Sequence, residues 1–236
     1  MGFGEDLTNK VRDYLSGDYD ITETRGIPTV DNVSHGKKAK KMNICAFSID
    51  LRKSSDLLFQ HQKQTAGKIH KAFLAVASSV VLKYGGKIRS FQGDSILVFW
   101  PANHISQIMD AVRAAMEIKW FLSSKLSSLF EKYSKLDYGI GIDWGEVFIV
   151  RAGISRDSNN NDLVFIGRCV NLAVAIANQA KAPENIGVSL SVYKNLEDSH
   201  KYTTKNNNKV NMWNDGSVVW NNKRYDTKLT GYYWHL

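Results

Sequence analysis

From Met42 onward the chain alternates between compact apolar runs and longer amphipathic stretches. Asn43-Ile44-Cys45-Ala46-Phe47-Ser48-Ile49 is nearly all apolar over strand length, the pattern of a strand covered on both faces. Beyond it, Ile69, Phe73, Val76, Val80 and Tyr84 recur every three or four residues. That stripe predicts a helix over about 54–84, closed by Gly85-Gly86. Residues 87–91 and 95–100 read as strands joined by a hairpin turn at Gln92-Gly93-Asp94. A second helix is predicted over 103–133, with Ile105, Ile108, Val112, Met116 and Trp120 on one face. Leu136, Tyr138, Ile140 and Ile142 alternate as a strand does, and Trp144-Gly145 predicts a turn into a strand at 146–151. A polar loop at 155–161, a strand at 163–166, a helix at 168–181 broken by Pro183, and a strand at 186–189 complete the series.

This order, βαββαβ, is the ferredoxin-like arrangement, so the expected class is α+β with extra strands and helices appended. Residues 1–41 lack sustained periodicity and read as an arm with one short helix near 7–15. Residues 42–200 form the expected main domain. Residues 201–236 are a β-rich extension, where Trp213-Asn214-Asp215-Gly216 predicts a hairpin turn.

Composition narrows the setting. With 236 residues, 43% hydrophobic and three prolines, the chain suits one full domain and excludes collagen, disorder and a disulfide scaffold. Cys45 and Cys169 sit in apolar runs, which points to core positions and the reducing cytosol. No apolar stretch approaches the roughly 20 residues of a membrane helix. The N-terminus lacks the basic flank of a signal peptide, and Asp6 stands where myristoylation needs Ser or Thr. A soluble, cytoplasmic protein is expected.

The net charge of +8 is unevenly placed: residues 1–31 carry seven acidic and three basic side chains, and the lysines at 37–41 cancel that excess. A basic balance attracts nucleic acid, anionic lipid or nucleotide triphosphate alike. The strands lack the paired exposed aromatics of an RNA-binding sheet, so neither nucleic acid nor membrane is the expected partner.

Two aspartates carry the candidate chemistry. Asp50 ends the first apolar strand and Asp94 lies at the first hairpin. The first and third strands of a βαββαβ sheet are neighbours, so the two carboxylates can converge as a site for Mg²⁺ or Mn²⁺. From spacing alone, a loop start at Asp50 and ordinary turn chemistry at Asp94 remain open.

Four segments carry a resemblance. Phe47-Ser48-Ile49-Asp50-Leu51-Arg52-Lys53-Ser54-Ser55 resembles the first metal-binding segment of the class III nucleotidyl cyclases, the adenylate and guanylate cyclase family. The run from Gly85 to Asp94 resembles that family's Gly-Gly helix end and Gly-Asp hairpin. Gly139-Ile140-Gly141-Ile142-Asp143-Trp144-Gly145-Glu146-Val147 resembles its central hairpin, and Ile166-Gly167-Arg168-Cys169-Val170-Asn171-Leu172-Ala173 its Gly-x-x-Val-Asn-x-Ala segment.

The resemblance implies that Asp50 and Asp94 hold two divalent metal ions, Mn²⁺ or Mg²⁺, for in-line attack of a ribose 3′-oxygen on the α-phosphorus. Main-chain groups around Leu51, Lys53, Ser54 and Ser55 would cradle the phosphates. Asn171 would orient the ribose from the opposite subunit of a homodimer with composite sites.

Departures sharpen the expectation. The family's two purine-reading positions are here Ser90 and Val164, and neither reproduces a purine code. Its transition-state arginine is Ala175, with Arg168 or Arg52 as candidate replacements. Lys223, Arg224 and Lys228 fall where a triphosphate lysine is often supplied. With the Gly-Phe-Gly-Glu-Asp-Leu arm, this set looks most like the bacterial pyrimidine cyclases of Pycsar antiphage defence. These convert UTP or CTP to a cyclic monophosphate that activates a separate effector. A purine cyclase with unusual base recognition and a non-catalytic nucleotide-sensing dimerisation module are the other readings.

Overall fold

The computed structural model describes residues 2–154 and 160–234. Most of the expected polar loop, at 155–159, lies outside the described residues. The chain opens with α1 (Phe3–Leu15) and β1 (Asp20–Glu23), then β2 (Lys38–Leu51), α2 (Ser54–Gln60) and α3 (Lys63–Lys83). The hairpin β3 (Lys87–Gln92) and β4 (Ser95–Pro101) leads to α4 (Ile105–Trp120), α5 (Ser127–Glu131) and the long β5 (Tyr138–Gly153). Next come β6 (Asn161–Ile166), α6 (Arg168–Gln179), β7 (Ile186–Ser189), α7 (Leu190–Asn195) and α8 (Asp198–Lys201). Two hairpins end the chain: β8 (Tyr202–Lys205) with β9 (Asn208–Asn211), and β10 (Asn214–Trp220) with β11 (Lys223–Thr230).

The main sheet runs β10-β11-β7-β5-β2-β4-β3, with β1 beside β2 and β6 beside β5. Its centre, β5-β2-β4-β3, is the ferredoxin-like order, and β2 and β4 are neighbours as the sequence predicts. α3 and α4 cover one face. Phe73, Val80, Val112 and Met116 there meet Phe47, Ile49, Val98 and Ile140 of the strands. Burying each such side chain contributes about 1.5–3 kcal/mol.

On the other face lies α6. A Cβ on Gly139 would stand 1.9 Å from Ala177 O, and one on Gly141 2.0 Å from Ala173 O. Those glycines let the helix backbone rest directly on β5, which is the physical content of the Gly-Ile-Gly-Ile pattern. Cys45 and Cys169 are buried free thiols, one on each side of the sheet's centre.

Several elements differ from expectation. The helix predicted over 54–84 is two, because His61 and Gln62 are extended; the apolar stripe from Ala66 to Val81 belongs to α3 alone. The helix predicted over 103–133 passes through a π turn at Phe121–Lys125, and Leu122 within it and Phe130 after it are both buried. Trp144-Gly145 makes no turn: β5 pairs with β2 without interruption from Ala39 to Leu51. Gly145 serves a close approach instead, since its Cβ would sit 3.5 Å from that of Cys169. Asp215-Gly216 lies inside β10, and the turn falls at Asn221-Asn222, both at positive φ. Asn206-Asn207 turn the β8–β9 hairpin the same way. The arm supplies a strand of its own, β1, parallel to Lys38–Lys41.

Candidate active site

A cleft of about 480 Å³ opens on the α6 face. Ser48 and Asp50 of β2, Gln92 of β3, Ser95 and Leu97 of β4, and Asn171, Ala175 and Asn178 of α6 line it, with Trp220 from the last hairpin. Strand alternation explains the β2 contribution. Phe47, Ile49 and Leu51 point under α3, so Ser48 and Asp50 point to the opposite face.

Asp50 pairs in register with Ser95, the residue after Asp94, which brings the two carboxylates together. Gly93, at φ +63, allows the tight turn that presents Asp94. Burial raises the Asp50 carboxyl above the usual carboxylate range. The negative charge of Asp94 raises it further, against the opposing pull of Arg52 and the Leu51 N–H. Asp94 Oδ2 is buried without a hydrogen-bond partner. A half-buried pair of mutually repelling carboxylates, one with an orphaned oxygen, fits a hard divalent cation. Among the described residues no group of three or more His, Cys, Asp or Glu is placed to hold a metal. The remaining ligands would therefore be carbonyls, water or phosphate oxygens, as Mg²⁺ commonly takes.

After Asp50 the chain bends sharply. Leu51 is buried, Lys53 adopts the left-handed conformation at φ 55, and Ser54 opens α2 with Ser55 exposed beside it. Arg52 turns away from the cleft: its Nε donates to Ala180 O at 2.7 Å, and its terminal nitrogen to Ala177 O at 3.0 Å and to Asn178 O. Its guanidinium caps α6 at the C-terminus, a task different from the transition-state role expected of it. The helix ends there, at Gln179, ahead of Pro183.

Arg168 sits exposed in the first turn of α6, three residues before Asn171 on the same face. Its guanidinium lies 6.0 Å from the Tyr225 ring, and its charge partly offsets the burial that raises the Asp143 carboxyl. Ala175, at the family's arginine position, packs against the cluster of Leu172, Ile176 and Val218 and lines the cleft.

Ser90 and Val164 do not line that cleft directly. Ser90 is half-buried on β3, and Val164, 43% exposed, points outward between the inward Leu163 and Phe165 of β6. Lys228 is tied to Asp215 at 2.6 Å, while Lys223 and Arg224 lie exposed next to the Asn221-Asn222 turn. Trp220 and Gln92 were absent from the sequence-based candidates. The signal for Trp220 was the asparagine pair after it, which places it at a hairpin tip.

Solved structures of similar fold are those of a guanylyl cyclase, Cya2 (TM-score 0.67, 19% identity, 82% of this chain and 94% of that one), and of the adenylyl cyclase CyaB from P. aeruginosa (TM-score 0.66, 20% identity, 81% and 95%). The fold is that of the class III nucleotidyl cyclases. No family model matches the chain. A uridylate cyclase of Burkholderia cepacia is 30% identical over 221 residues, covering 90% of this chain and 91% of that protein. The chain belongs to the uridylate cyclase family, and it is a nucleotidyl cyclase. No described helix is long and apolar enough to cross a membrane.

Proposed function

We propose that the protein converts UTP, with CTP as the other pyrimidine candidate, to the 3′,5′-cyclic monophosphate and pyrophosphate. The observation that carries this reading is the cleft itself. One wall of it holds Asp50, with the Asp94 charge close by, and the opposite wall Asn171, in a chain whose purine-reading positions are Ser90 and Val164. Similarity to a protein named uridylate cyclase supports UTP over CTP.

Asp50 and Asp94 would hold two divalent ions, Mn²⁺ or Mg²⁺. When bound, these supply charge neutralisation at the triphosphate and a lowered pKa at the ribose 3′-hydroxyl. The chain's own groups do the rest by placement. The Arg52 N–H is engaged by Asp137 O and the Leu51 N–H by Asp50, so the main-chain N–H groups of Lys53, Ser54 and Ser55 cradle the phosphates, and Asn171 orients the ribose. Arg168 offers a guanidinium to the charge that builds on the α-phosphate, in place of the residue lost at Ala175. Ser90 and Val164 supply neither of the polar side chains with which the family's members read a purine.

The working unit is a homodimer. Around the cleft Phe91, Ile166, Val174 and Val219 are exposed apolar side chains, as a self-complementary interface requires. In such a dimer the Asp50 side of one cleft faces Asn171 of the other subunit. The cyclic product is a diffusible signal for a separate effector in antiphage defence.

Complementation tests the composite site. Asp50→Ala and Asn171→Ala should each abolish product, and mixed after co-refolding they should recover about a quarter of wild-type turnover, because half the sites of each mixed dimer are intact. No recovery would reject the shared site, and full activity of Asp50→Ala or Asp94→Ala alone would reject the metal pair.

A further inference from the structure

β3 and β6 approach each other through side chains, yet no backbone ladder joins them. Arg89 spans the gap. Its terminal nitrogen donates to Leu163 O and to Asp162 Oδ1, and its guanidinium lies 5.4 Å from the Phe165 ring. Phe165 in turn packs on Phe99 of β4 at 4.8 Å.

The strand register shows why this arginine is free to reach across. Ile88 pairs with Val98 and Ser90 with Leu97, so Arg89 is an extra residue without a partner, a β-bulge. In a regular strand Ile88 and Ser90 would share a face. The bulge separates them. Ile88 follows Val98 into the core under α3, and Ser90 follows Leu97, which lines the cleft. Arg89 also borders a second hollow, of about 450 Å³, lined by Ile27, Pro28 and Val30 of the arm together with Ile88 and Leu163.

We propose that Arg89, held by Asp162, is a positioning residue for base selection: it holds Ser90 toward the cleft and fixes the spacing between β3 and β6. This rests on the reading that Ser90 faces the base. Loss of the clamp lets the bulge relax, moves Ser90 and opens the base end toward the arm-lined hollow. A single-ring base then loses its close fit, and a purine gains room.

Steady-state kinetics of Arg89→Met, Arg89→Lys and Asp162→Asn with all four nucleoside triphosphates and Mn²⁺ test it. Arg89→Met should raise KM for UTP about tenfold while kcat stays within about threefold, since the metal and ribose groups are untouched. Preference for pyrimidine over purine should fall in parallel. Arg89→Lys should recover part of both effects, and Asp162→Asn, an exposed partner, should show a weaker version with wild-type melting. Wild-type KM and selectivity in Arg89→Met, or a loss confined to kcat, overturns the proposal.

Isothermal titration with a non-hydrolysable UTP analogue separates this from the activity itself. If the wild type forms no cyclic nucleotide, the cyclase reading of the substrate fails. The positioning role then stands if Arg89→Met weakens the analogue about tenfold, and falls if the affinity is unchanged.

Discussion

Replacing Arg52 with Met keeps most of the aliphatic stem and removes three donations to the last carbonyls of α6. A hydrogen bond from a charged group contributes about 1.5–3 kcal/mol, and a cation at a helix C-terminus adds about 0.3–1 kcal/mol. The three bonds share one half-buried side chain, and the freed carbonyls regain some water, so they do not add. A net loss of about 2–3 kcal/mol follows. At about 2–4 °C per kcal/mol for a chain of this size, the melting midpoint should drop by about 4–12 °C. α6 carries Asn171 and lines the cleft, so turnover should fall as well. Thermal melts followed by circular dichroism, with kcat measured well below the midpoint, check both effects. Arg52→Lys retains the charge but not the fork, and should recover less than half of the lost stability. A melt within about 1 °C of wild type, with kcat abolished, would refute the capping role and return Arg52 to the chemistry.

Other substitutions probe the remaining links. Asp50→Asn removes a half-buried charge that faces Asp94, so the metal-free protein should melt no lower than wild type while losing both turnover and the stabilisation by Mn²⁺; calorimetry with and without Mn²⁺ reads this. Because the folded Asp50 pKa lies above its unfolded value, this group's contribution to stability is greatest at low pH and declines as pH rises through that window. Urea titrations across the acid range should show that slope in wild type and not in Asp50→Asn. Gly141→Ala, whose Cβ would meet Ala173 O at 2.0 Å, should displace α6 and cost more than about 2 kcal/mol by urea titration, although Gly141 does not line the cleft. Lys119, whose ammonium donates to Pro183 O at 2.8 Å and to Asn185 Oδ1, has its pKa lowered to about 8 by burial. The unfolded chain holds that proton more tightly, so global stability should rise between pH 8 and the ordinary lysine range, a slope absent in Lys119→Met.

What could be read from residue order and what could not separate along physical lines. Asp50 was legible because it ends an apolar run, and Asp94 because Gly93 precedes it in a hairpin; both are local signals. The α6 segment was legible through its motif, and the glycines of β5 through theirs. The turn expected at Trp144-Gly145 failed because a glycine that admits a helix and a glycine that turns a chain look alike in one dimension. The break at His61-Gln62 and the π turn after Trp120 depend on which side chains the finished core accommodates. Arg52 was found by position but given the wrong neighbour: the carbonyls it caps lie about 125 residues later in the chain. Arg89 acts on β6 from a bulge that only strand pairing reveals.

The central claim is that this cleft cyclises a pyrimidine triphosphate. Incubating the protein with an equimolar mixture of ATP, GTP, CTP and UTP in the presence of Mn²⁺, then resolving the products by mass spectrometry, tests it most directly. Cyclic UMP, or failing that cyclic CMP, should dominate, with matching pyrophosphate and none from Asp50→Ala. Cyclic AMP or cyclic GMP as the main product, or no cyclic nucleotide at all, would contradict it.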